Sequence, residues 1–129
     1  MVKTIHWPEE FEQEILSEPA GSTYLAVRPG TLYFDTQYFK KGDVVDIRTG
    51  NKVVRKGMVQ DELKTSQIKN LTQADFNLLK NSINTKEKLK DFLSKRYNIC
   101  VDDNTEITLV AYNNMNLVYL KENEDPHFC

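Results

Sequence analysis

The sequence predicts a mixed α+β domain whose sheet is mostly antiparallel and curls into a small closed β-barrel with peripheral helices. Three observations carry that expectation. A valine-rich hairpin spans Asp43–Val59, two segments with helical spacing sit together in the second half, and further strand-like runs follow near the C-terminus. Helices grouped between strands fit an antiparallel α+β arrangement better than alternating βαβ units. Bringing the last strands back to the first would leave fewer exposed sheet edges, hence the barrel.

A chain of 129 residues is long enough to bury one core and too short for two. Residues 1–121 are read as a single domain, and 122–129 as an acidic tail expected to fray. With 40% hydrophobic and 28% charged residues, the composition is that of a folded globular chain. No apolar run approaches the roughly 18 residues of a membrane span, and Lys3 interrupts the place of a signal peptide. The expectation is a cytoplasmic protein with no membrane partner. Cys100 and Cys129 lack CxxC or CxxH neighbours, so no metal and no cofactor is expected, and Cys100 reads as a small buried thiol.

Trp7-Pro8-Glu9-Glu10-Phe11 opens the first helix, with proline where no donor is needed and carboxylates where the helix dipole favours them. Phe11, Ile15 and Leu16 form its apolar face, and Glu18-Pro19-Ala20-Gly21 ends it. Thr23–Arg28 is a short strand closed by the Pro29-Gly30 turn, and Tyr33–Phe39 is a loop or short strand with four aromatics in seven residues. Lys40–Asp43 turns into the hairpin. A two-residue Gly50-Asn51 loop of type II′ sets Ile47 opposite Val54 and Asp46 opposite Arg55. Alternation would then set Lys56 against Val45, so a bulge at or near Gly57 is expected. After strand and loop over Met58–Ile68, Thr72 and Asp75 form a capping box for a helix over about 73–81. Asn84 caps a clearer helix bearing Leu89, Phe92, Leu93 and Tyr97. Glu106–Tyr112 and Met115–Leu120 flank Asn113-Asn114 as a closing hairpin.

The net charge of −2 is unevenly spread. Residues 1–27 carry one lysine and five glutamates, whereas residues 28–56 carry seven bases and three acids. A local basic stretch in a mildly acidic chain is compatible with a phosphate-bearing partner, although strong nucleic-acid binders are basic overall.

Three pieces in order, Phe11–Leu16, Leu25-Ala26-Val27-Arg28 and Phe39-Lys40-Lys41-Gly42-Asp43-Val44-Val45, resemble the ASCH domains of the PUA-like superfamily. In that family a helix ends in a Gly-x-Lys-Thr-like turn, a Thr-Ile-Arg strand follows, and a Phe-x-x-Gly-Asp-x-Val step enters the barrel. Leu71–Asp75 and Glu106–Tyr112 look like its later elements. The resemblance implies a cleft facing the Arg28 strand and an association with RNA or modified nucleosides. Small bacterial members that hydrolyse 4-acetylcytidine use a lysine in the turn, a threonine two residues before the arginine and a glutamate in the later helical region. Here those places fall near Thr23, at Ala26 and near Leu79, so the scaffold is kept without the catalytic set, and no catalytic residue is assigned.

Arg28 is the leading ligand contact, because a guanidinium at a strand end can grip a phosphate or a base edge bidentately. Its structural alternative is a pairing with Asp43 or a buried carboxylate. Thr23 and Tyr24 would add hydroxyls beside it, Tyr33 and Tyr38 stacking faces, and Lys40, Lys41 and Arg55 phosphate contacts. His6 reads as structural and His127 lies in the tail. The leading reading is a non-enzymatic domain binding RNA, a nucleotide or a small anionic ligand. The alternatives are a divergent amidohydrolase acting on a modified nucleoside and a protein-interaction adaptor using the acidic first helix and tail. The sequence leaves the oligomeric state open.

Overall fold

The computed structural model describes residues 2–115. In chain order, β1 (Lys3–Trp7) leads through a 3-10 turn, Glu9–Phe11, into α1 (Glu12–Ser17), β2 (Thr23–Pro29) and the single helical turn α2 (Leu32–Asp35). The hairpin β3 (Val44–Thr49) and β4 (Lys52–Val59) follows, then β5 (Lys64–Gln67), α3 (Gln73–Asn77), α4 (Lys86–Tyr97) and β6 (Glu106–Asn114). Strands pair in the order β1-β3-β4-β6-β2, with β5 also on β6. Among the described strands only β1 and β3 run parallel; the other pairs are antiparallel, in keeping with an α+β reading.

The long strand β6 organises the sheet. Along one edge it takes β2 from Thr23↔Asn113 to Pro29↔Ile107, and along the other it takes β4 at one end and β5 at the other. The expected closed barrel is not what the described pairing forms: the ladder ends at β1 and β2, and no backbone pairing joins them. A side chain occupies that seam instead. Arg28 Nη2 donates to the carbonyl of His6 at 3.1 Å, reaching from β2 to β1.

The hairpin turn is the one its sequence dictates. Gly50 has φ +56°, and Asn51 has no positive φ, the pattern of a type II′ loop. The bulge lies earlier in β4 than expected: Arg48 faces Val53 and Ile47 faces Arg55, leaving Val54 as the extra residue. Asp46 therefore faces Lys56, not Arg55, and pairs with it at 2.5 Å. Two residues against one also turn Val54 and Arg55 inward together, and both are buried. Gly57 then faces Val45, where a side chain would crowd β6: an added Cβ would lie 3.0 Å from both the Asn113 carbonyl and Ile47 Cδ1.

Phe11 and Ile15 from the first helical segment, Leu89 and Leu93 from α4, and Ile5, Ile47, Ile107 and Val110 from the sheet are all buried. Each such side chain contributes about 1.5–3 kcal/mol over its exposed state. The segment expected as loop or strand at Tyr33–Phe39 opens with helical turn α2, closed by Thr31 Oγ1 donating to Asp35 Oδ2, and only Phe39 in it is buried. The Thr72–Asp75 capping box forms as expected, but α3 stops at Asn77. Thr85, not Asn84, caps α4, accepting from Lys88 N–H. The strand β6 runs straight through Asn113 and Asn114, so the turn expected there is absent, and the strand expected after Met115 lies outside the described residues. So do the tail, His127 and Cys129. Cys100 is exposed, not buried. Among the described residues no helix is long and apolar enough to cross a membrane, and no His, Cys, Asp or Glu cluster could hold a metal ion.

Candidate functional site

Strand β2 delivers Arg28 at its end, just before the turn at Gly30, whose φ is +79°. That turn is pinned to β6: Gly30 N–H donates to the Glu106 carbonyl at 2.8 Å, and Thr108 Oγ1 donates to the Gly30 carbonyl at 2.8 Å. The chain then rises into α2, and a cleft of about 250 Å³ opens between Arg28, Pro29, Leu32, Tyr33, Tyr97 and Thr108. That is small against the ordinary range of ligand pockets, and suits a single base better than a larger ligand.

Arg28 has no carboxylate partner among the described residues. Its expected alternative, a pairing with Asp43, does not form. Asp43 instead pairs with Lys3 at 3.5 Å and accepts from the Lys40 N–H at 2.9 Å, holding the turn before β3. Arg28 donates through Nη1 to its neighbour Val27 and through Nη2 to His6, both backbone carbonyls. A guanidinium has five N–H donors, so three stay uncommitted.

Of the other expected contacts, only Tyr33 joins Arg28 in the cleft. Tyr38 lies outside the cleft, stacked on Tyr33 at 5.0 Å, edge-on to Phe39 and under the Lys3 ammonium; Tyr33 shares that stack and also meets Phe39 edge-on at 5.5 Å, and it lines the cleft beside that stack. Thr23 donates its hydroxyl to Asn113 Oδ1 at 2.6 Å. Tyr24 lies four residues from Arg28 along the strand, about 13 Å away, and packs over Lys80. Lys40 and Lys41 are exposed on the turn before β3, outside the cleft.

The basic stretch does not act as one patch. Lys52 pairs with Glu12 at 3.0 Å, Lys56 is spent on Asp46, and Arg48 caps the Asn51 carbonyl at 3.0 Å. Arg55, expected on the surface as a phosphate contact, is 1% exposed. The bulge turns it inward, where Nη1 donates to the Ile15 and Glu18 carbonyls at 2.9 and 2.6 Å, and Nε to Met115 at 3.1 Å. Arg55 thus fastens the end of α1 to the end of β6. His6 is exposed, its Nε2 3.0 Å from the Gly50 carbonyl.

Beside Arg55 lies an ion pair that the sequence did not signal. Lys80 Nζ is fully buried and donates to both Glu18 oxygens at 3.1 and 2.8 Å and to the Tyr112 hydroxyl at 2.9 Å. Those three acceptors match the three protons of an ammonium. The rings of Tyr24, Trp7 and Tyr112 surround it at 4.4, 4.9 and 5.4 Å, and Asn114 Nδ2 donates to Glu18 at 3.0 Å. Burial holds the Lys80 ammonium below the usual lysine range, with Glu18 opposing the shift. Burial, then the Glu18 carboxylate, pushes the Tyr112 phenol far above its ordinary value. Lys80 adjoins Leu79, near the place where the resemblance puts a catalytic glutamate, but this lysine has neither a solvent face nor a spare proton.

No family model matches the sequence, and no curated protein matches it. Its fold does have counterparts. An ASCH domain from Lactobacillus crispatus JV V101 superposes with a TM-score of 0.64, over 88% of this chain and 79% of that one, at 10% identity. This chain has an ASCH-like fold. The ASCH-like domain also superposes on protein EF3133 from Enterococcus faecalis V583, of family DUF984, with a TM-score of 0.62 at 10% identity, covering 89% of this chain and 77% of the other. At such identity the likeness is one of fold, which agrees with the order of motifs around Arg28 and Gly42-Asp43.

Proposed function

We propose that this ASCH-like domain binds RNA or a nucleotide without transforming it, seating one base between Tyr33 and Tyr97 while Arg28 grips a phosphate or base edge. The observation that carries this reading is Arg28 itself: a half-buried guanidinium with three uncommitted donors, no carboxylate partner among the described residues, and two tyrosines lining the same cleft. Aromatic stacking contributes about 1–3 kcal/mol per base and tolerates any sequence.

Fluorescence anisotropy with a short labelled RNA at two salt concentrations tests this. A hydrogen bond to a charged group contributes about 1.5–3 kcal/mol, so Arg28→Ala is expected to weaken binding about 10- to 100-fold. Binding that is absent, insensitive to salt, or unchanged in Arg28→Ala refutes the reading. Release of acetate from 4-acetylcytidine by the wild-type chain would replace it with a hydrolase.

A further inference from the structure

We propose that the base held in the Arg28 cleft is guanine, with Arg28 donating to its O6 and N7 edge. This rests on the reading above and commits Arg28 to the base edge rather than to a phosphate.

The cleft is suited to an edge of acceptors. Its lining residues are Arg28, Pro29, Leu32, Tyr33, Tyr97 and Thr108, with no carboxylate and no side-chain amide among them. Nearby backbone acceptors are engaged: the Val27 and His6 carbonyls receive the guanidinium, and the Leu32 and Tyr33 carbonyls receive the N–H groups of Thr36 and Tyr38, each at 3.0 Å. Thr108 has given its proton to the Gly30 carbonyl and is 1% exposed. The strongest polar group left to a ligand is therefore Arg28, which offers three donors and accepts nothing.

Bases differ in the edge they present. Guanine sets two acceptors side by side, O6 and N7, at the spacing of two guanidinium N–H groups, whereas adenine carries an amino donor in place of O6. That amino group would meet another donor, with no carboxylate or amide oxygen in the cleft to receive it. Cytosine presents an amino group on the corresponding edge, and uracil a single carbonyl. Stacking on Tyr33 and Tyr97 serves every base, so the choice falls to Arg28. Held by two carbonyls, its fork adapts to a donor edge only by giving up those bonds.

Phosphate is the poorer occupant of this position. Pro29, Leu32 and the two rings give the cleft apolar walls, which strip water from whatever enters, at far greater cost to a dianion than to a base. A cleft of about 250 Å³ that is filled by one base leaves the phosphate outside it. The guanidinium charge still attracts the phosphate from there, which keeps binding dependent on salt.

Isothermal titration calorimetry of the full chain with the 5′-monophosphates of guanosine, inosine, adenosine and 7-deazaguanosine tests this, since all four carry the same phosphate. Guanosine and inosine monophosphates, which share O6 and N7, are expected to bind about 5- to 150-fold more tightly than adenosine monophosphate, the discrimination of one good bidentate pair. The 7-deaza compound lacks the N7 acceptor and is expected to lose most of that advantage. Arg28→Lys keeps the charge and removes the fork, so it should bind guanosine and adenosine monophosphates about equally; circular dichroism confirms folding. Uridine hexamers with one central guanosine or adenosine repeat the comparison in RNA. Tighter binding of the guanosine hexamer than of guanosine monophosphate makes RNA the source of the base, weaker binding makes it the free nucleotide, and guanine stands in either case. Equal affinity of the wild-type chain for guanine and adenine, or a preference that survives in Arg28→Lys, overturns the assignment; with Arg28→Ala still impaired, the cleft is spared. Absence of binding to every monophosphate and both hexamers overturns the cleft as well.

Discussion

Replacing Lys80 with methionine keeps an unbranched side chain only one heavy atom shorter and removes its charge. It leaves Glu18, whose side chain is 5% exposed, without its only ion-pair partner among the described residues. The carboxylate loses two hydrogen bonds, at 2.8 and 3.1 Å, and keeps the one from Asn114. Removing one member of a buried pair costs about 3–5 kcal/mol, because the survivor is a charge buried without compensation. Lost contacts with the three surrounding rings act in the same direction. Total domain stability is about 5–15 kcal/mol, so this change would consume much of it and lower Tm by about 10–20 °C. The double variant Glu18→Leu with Lys80→Met leaves no uncompensated charge and should recover most of the loss. Urea denaturation of the four proteins, read as a double-mutant cycle, isolates the pair. A loss below about 1 kcal/mol in Lys80→Met, or a double variant as weak as the worse single, would refute a structural pair.

Two further predictions concern the same half of the sheet. Gly57→Ala should destabilise by about 1–3 kcal/mol in urea, because its Cβ would press on the Asn113 backbone across β6, where no flexible tip can yield. The Tyr112 phenol is held far above its ordinary value, so the folded state keeps a proton that the unfolded chain releases above about pH 10, and stability falls as pH rises through that range. Lys80, whose value is lowered, acts oppositely: below the ordinary lysine value the unfolded chain holds the extra proton, so its contribution rises with pH. Tyr112→Phe should therefore flatten the alkaline loss of stability between pH 9.5 and 11.5, about the window set by those two groups; an identical slope in both proteins would show that Tyr112 ionises freely.

The hairpin was legible because glycine at a two-residue loop and alternating valines are local signals, and the capping of α3 likewise needs only Thr72 and Asp75. The position of the bulge was not. A conflict in alternation shows that a residue must be extra, but placing it at Val54 or at Gly57 satisfies the pattern equally; packing against β6, remote in sequence, decides. Arg55 was misread for that reason. The Lys80–Glu18 pair spans 62 residues and joins a helix stop to the link between two helices, neither of which carries a sign of burial. Tyr97 continues the spacing of Leu89 and Leu93, so it reads as core, yet the helix ends there and its ring lines the cleft.

Counting bases along the sequence treats each as an equal candidate for phosphate, whereas the fold sorts them by what surrounds them. Within residues 28–56, Arg55 is spent on carbonyls, Lys52 and Lys56 on carboxylates, and Arg48 on a turn. Arg28 stands apart because it lies where the ladder of described strands ends. At the seam between β1 and β2, which no described strand pairing bridges, Arg28 Nη2 donates to the His6 carbonyl, and a backbone acceptor at a sheet edge takes its donor from water or from a side chain. A lysine would meet that need with one donor on a flexible stem; arginine meets it with one arm of a rigid fork, sets a second donor on the Val27 carbonyl and keeps three uncommitted. The bond that holds the seam thus also fixes the guanidinium in place, so a ligand would meet a group whose conformational entropy is already lost. That is the physical reason for expecting recognition at this seam, and not on the more highly charged but mutually neutralised hairpin.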